Sequence, residues 1–164
     1  MTQVDGMVTW QDAEDAMVEA FELLGALPDR ERGWLAPGVG RKCSNWPAIV
    51  REVNAGDYGD AHAIGAERPV RRRVGVAEMA FLDRMLLGEA PLASAIPEQH
   101  RALVGRVVAR KRWSAGGFAW DDVREEMGGR PAGVPSGDAL RMRYERAIAK
   151  LAGAMTRARW ERAG

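Results

Sequence analysis

Four basic residues near the C-terminus have the spacing of a surface that binds a polyanion. On a helical wheel at about 100° per residue, Arg143, Arg146, Lys150 and Arg157 gather on one arc, along one side of roughly four turns. A lysine or arginine that neutralises a phosphate releases condensed counterions, which drives binding at low salt. Arginines near the start of such a helix, Arg141 and Arg143, are also candidates for paired hydrogen bonds to guanine in the major groove. The nearby acids, Asp138 and Glu145, lie off the arc. The alternative is an amphipathic helix whose exposed face is merely basic, and spacing alone leaves both readings open.

Other constellations offer less. RKC at 41–43 and RPVRRR at 68–73, with Arg71, Arg72 and Arg73, read either as further phosphate contacts or as solvated connectors. Cys43 is the only cysteine, so no internal disulfide forms. Its cationic neighbours favour a thiolate, but no histidine lies close by in sequence, and a nucleophile is not expected. His62 and His100 are isolated, and with one cysteine they are too few for a four-ligand zinc site. Neither GVGRK nor GDYGD has the phosphate-loop pattern. The acids Asp12, Glu14, Asp15, Glu19 and Glu22 lack metal-loop spacing. They form a solvated face, or a docking surface for a basic partner or a second copy. With no acid/base or nucleophile constellation, no enzyme, cofactor or metal is expected.

These side chains need helices to hold them. Thr9 is placed to cap a helix from Trp10, with Ala13, Met17, Ala20, Phe21 and Leu24 as its apolar stripe and Gly25 and Pro28 to end it. Residues 33–45 read as a loop. Asn45 caps a second helix that buries Trp46, Ile49, Val50 and Val53. A third helix covers 76–88, and Pro91 and Pro97 bracket a linker. A fourth runs from Pro97 to Trp113 with Leu103, Val104, Val107 and Val108 inward, and SAGG at 114–117 breaks it. A short helix over about 119–127 stops at Gly128–Gly129. Ser136 then caps a long helix whose stripe is Leu140, Tyr144, Ala147, Ile148, Leu151, Met155 and Ala158. Few stretches alternate with period two, so the expected fold is all-α, a helical N-terminal part plus a C-terminal helix-turn-helix with a long final helix.

The charge is divided. Residues 1–60 hold 5 Lys/Arg and 11 Asp/Glu, whereas residues 98–164 hold 14 and 8, although the whole chain of 164 residues nets +1. The division suggests an acidic helical region over 1–90 and a basic helix-turn-helix region over 97–164. No apolar run approaches the ~20 residues of a membrane span. The start, MTQVDGMVTW, lacks the basic and apolar regions of a secretory signal. A cytoplasmic, nucleoid-associated protein is expected.

AWDDVREEMGG followed by PSGDALRMRYERAIAKL resembles the helix-turn-helix of sigma-factor region 4 and related response-regulator tips. An aromatic residue opens a short helix, an apolar residue follows three later, and a glycine stop and a serine cap precede the long helix. The layout of NWPAIVREV, a basic loop and then this motif resembles a family of small prophage and gene-transfer-agent regulators of alphaproteobacteria. That resemblance implies a transcription regulator, an activator of phage-like genes, that binds double-stranded DNA and contacts RNA polymerase. It maps groove entry onto Ser136, Asp138, Arg141, Met142, Arg143 and Arg146. The acidic N-terminal helices would then form a homodimer or hold a partner regulator. The turn of such motifs usually has three or four residues, whereas GGRPAGVPSG spans 128–137, a wing-like loop from which Arg130 would reach a phosphate or an insertion that widens the interhelix angle. A DNA-packaging protein of small-terminase type, and an antitermination or polymerase-binding factor without DNA specificity, are the alternative expectations.

Overall fold

Thr9 starts the first helix, α1 (Trp10–Ala26), through a capping box. Its hydroxyl accepts the Asp12 N–H at 3.1 Å, and the Asp12 carboxylate accepts the Thr9 N–H at 2.8 Å. These hydrogen bonds hold the Asp12 carboxyl below its ordinary pKa. The computed structural model describes residues 7–27, Trp46, Ile49, 73–113, 118–128 and 135–161. Helix α2 (Val76–Leu82) runs on into a π-helical turn, Asp83–Leu87, closed by the Gly88 N–H donating to the Asp83 carbonyl at 2.6 Å. A 3-10 turn, Leu92–Ala95, fills the linker between Pro91 and Pro97. It leads into α3 (Glu98–Trp113), then α4 (Trp120–Glu126) and α5 (Gly137–Trp160). Among the described residues there is no strand, so the all-α expectation holds.

Helices α1, α3 and α5 pack against one another pairwise. Their buried stripes supply Met17, Phe21 and Leu24 from α1, Leu103, Val104, Val107 and Val108 from α3, and Leu140, Tyr144, Ile148 and Leu151 from α5. Leu82, Met85 and Leu86 of α2 and its π turn belong to the same cluster. Each fully buried aliphatic side chain of this size contributes about 1.5–3 kcal/mol. The acidic N-terminal helix and the basic C-terminal helices therefore share one hydrophobic core. The amide of Val8 adds a polar tie, donating to the buried hydroxyl of Thr156 on α5 at 3.1 Å.

The expected second helix, 46–53, lies outside the described residues except for Trp46 and Ile49. Trp46 is fully buried, with its ring edge-on to Phe21 at 5.9 Å and the Arg101 guanidinium 6.0 Å from the ring centroid. Ile49 explains a glycine in the middle of α3, where glycine costs about 1 kcal/mol against alanine. A Cβ on Gly105 would come within 2.3 Å of the Ile49 side chain, so the missing side chain admits Ile49 to the helix surface.

Candidate nucleic-acid interface

Ser136 fixes the start of α5, its hydroxyl accepting the Ala139 N–H at 3.3 Å. With the Leu140–Leu151 stripe turned into the core, the wheel puts the basic arc on the outside. Arg143, Arg146, Lys150 and Arg157 are all exposed. Among the described residues, no carboxylate forms an ion pair with any of them. From Arg143 to Arg157 the edge is about 21 Å long at 1.5 Å per residue. Its flanks carry Met142, 43% exposed, and the exposed Ala149.

Arg141 does not belong to this edge. It precedes Arg143 by two residues, about 200° away on the wheel. There it helps to line an open cleft of about 440 Å³ with Trp10, Phe118, Trp120 and Tyr144, its guanidinium 3.9 Å from the Asp138 carboxylate. The two arginines nominated together for guanine contact thus face different sides of α5. Asp138 itself has a side chain 91% exposed at the beginning of the helix.

At the floor of the cleft lies a polar junction between three helices. Glu14 of α1 is only 3% exposed. Its Oε2 accepts from the Lys111 ammonium of α3 at 2.7 Å, and its Oε1 accepts from the Tyr144 hydroxyl of α5 at 2.6 Å. The Lys111 ammonium also lies 5.7 Å from the Trp10 ring centroid, within range of a cation–π attraction. Trp10 and Trp120 stand against Tyr144 at 6.2 and 5.8 Å between ring centroids, and Phe118 against Trp120 at 5.2 Å. The cleft therefore already holds a cation of its own chain against Trp10. Glu14, grouped by sequence with the solvated acids of α1, is instead a buried acceptor.

Burial raises the Tyr144 phenol pKa strongly, and the hydrogen bond and charge of Glu14 raise it further. A pKa raised on folding means stability that is complete below the unfolded value, about 10, and falls as pH rises above it. In a Tyr58→Phe variant, which leaves Tyr144 as the only tyrosine, tyrosinate absorbance is expected to appear together with loss of helical circular dichroism, not before it. Ionisation of Tyr144 at its ordinary pH in a folded chain would show that the phenol is not sealed.

Two further arginines of α3 are engaged. Arg110 is ion-paired with Glu126 and, at 3.4 Å, with Asp122 of α4. Arg101 donates to the carbonyl of Ile96 at 3.1 Å. Arg73 is exposed ahead of α2, while Arg71, Arg72 and Arg130 lie outside the described residues. Among the described residues no cluster of His, Cys, Asp and Glu is arranged to hold a metal ion, and no helix is long and apolar enough to cross a membrane.

Ten residues separate α4 from α5. A Cβ on Gly137 would stand 3.1 Å from the Trp120 Cβ and 3.2 Å from the Asp121 carboxylate. The first residue of α5 is therefore seated on the first residues of α4, and a side chain there would require Trp120 or Asp121 to shift by a few tenths of an ångström. Comparison with protein-family models, curated proteins and solved structures finds no match to this chain.

Proposed function

We propose that the protein is a DNA-binding transcription regulator, of the kind that activates phage-like or gene-transfer-agent genes, acting at the nucleoid. The observation that carries this reading is the edge of α5, where Arg143, Arg146, Lys150 and Arg157 stand exposed without carboxylate partners among the described residues. The contrast with α3 gives it weight, because there Arg110 and Lys111 are committed to Asp122, Glu126 and Glu14. Double-stranded DNA is the proposed partner. The exposed acids Asp12, Asp15 and Glu19 on the outer side of α1 leave a second surface for RNA polymerase or a partner regulator.

Fluorescence anisotropy with labelled duplexes over a salt series tests the reading. The expected result is binding that weakens steeply and linearly on a log–log plot of affinity against salt. A chain that leaves the anisotropy of every duplex unchanged at the lowest salt is not a DNA-binding protein.

A further inference from the structure

We infer that α5 meets duplex DNA along its side, tracking the sugar–phosphate backbone with Arg143, Arg146, Lys150 and Arg157, and not by inserting its N-terminal tip into the groove. The inference rests on the DNA-binding reading and specifies which part of the duplex the site takes.

The tip is poorly made for groove entry. Its first residue is pressed against Trp120 and Asp121 of α4. The Ser136 hydroxyl is engaged in capping, and the Asp138 side chain, 91% exposed, puts a carboxylate in the first turn. Asp121 is exposed beside it. Carboxylates facing phosphates are a like-charge contact, which costs affinity. Arg141, the first cation of α5, lines the aromatic cleft.

The side edge has the opposite character. Its four cations fall within roughly 60° of arc, with the small Ala149, Gly153 and Ala154 beside them and the exposed Met142 on one flank. Length decides between the two modes. The major groove is about 8.5 Å deep, which admits about six residues of a helix that enters end-on at 1.5 Å per residue. Lys150 and Arg157 would stay outside. A duplex lying along the edge presents one phosphate per about 3.4 Å of its axis on each strand, so the ~21 Å between Arg143 and Arg157 runs past roughly six phosphates of one strand. All four cations then find partners. Phosphate contacts carry no sequence information directly, so duplexes of unrelated sequence bind alike, and promoter choice comes from a second contact.

The test uses the full chain and a random-sequence duplex. The slope of log affinity against log salt is expected near −3.6, four contacts at about 0.9 each. Arg157→Ala should flatten it by about 0.9, as much as Arg143→Ala does, and Arg157→Lys should restore it. Arg141→Ala should leave it unchanged. An unchanged slope in Arg157→Ala, or a flattened one in Arg141→Ala, would overturn side-on docking while leaving DNA binding intact. Absence of binding by the wild-type chain would remove the DNA reading itself. Tighter binding to a single strand of equal length, with about 0.7 per contact, would overturn the assignment to duplex.

Discussion

Replacing Glu14 by alanine should lower the free energy of unfolding by about 3 kcal/mol, measured by urea denaturation followed through helical circular dichroism. The substitution removes the acceptor of two donors at once. The Tyr144 hydroxyl, on a residue 1% exposed, would be left buried without a partner, and the Lys111 ammonium would lose its counter-charge. Breaking a buried ion pair from one side costs about 3–5 kcal/mol. The low end applies here because the Lys111 side chain is 34% exposed and can turn to water. Glu14→Gln should fall between wild type and Glu14→Ala, since an amide oxygen still accepts from the phenol but offers no charge to the ammonium. Removing Lys111 as well, in Glu14→Leu with Lys111→Met, should recover part of the loss, because apolar packing replaces a buried pair at little net cost. A loss under about 1 kcal/mol in Glu14→Ala would mean that the junction does not hold α1 to α3 and α5.

This junction shows where sequence patterns lose reach. The ends of α1 and α5 are legible because their signals are local. Thr9 and Ser136 each cap within three residues, and the apolar stripes of the two helices repeat at helical spacing. The partners of Glu14 lie 97 and 130 residues away, and no local pattern encodes them. The one clue is angular: Glu14 falls about 40° from Trp10 and 20° from Phe21 on the wheel, inside the apolar stripe and apart from Asp12, Asp15 and Glu19. The same is true of the cations. The wheel alone separates Arg141 from Arg143, although grouping them by type conceals it. That Arg110 is paired follows from α4 lying against α3, which depends on tertiary packing. The π turn after Leu82 has no signature that distinguishes it from continued α-helix, since it is defined by the Gly88 to Asp83 hydrogen bond.

The complementary variant, with Arg143, Arg146 and Lys150 all changed to alanine, should keep its stability and lose most of its salt dependence. Exposed residues outside buried networks usually change unfolding free energy by no more than about 0.5 kcal/mol, and none of these three has an ion-pair partner among the described residues. Each lost phosphate contact flattens the log–log salt slope by about 0.9, so the triple variant should be flatter by about 2.7. Raising salt fourfold, from about 50 to 200 mM, should then shrink the wild-type advantage in affinity by about 40-fold. That ratio does not depend on knowing the operator sequence or the absolute affinity. It also separates binding from folding: Glu14→Ala should lower the unfolding midpoint and, where the chain is still folded, keep the wild-type slope, whereas the triple variant should do the reverse. A triple variant with the wild-type slope would move the polyanion contact away from α5 altogether, to cations such as Arg71, Arg72, Arg73 or Arg130.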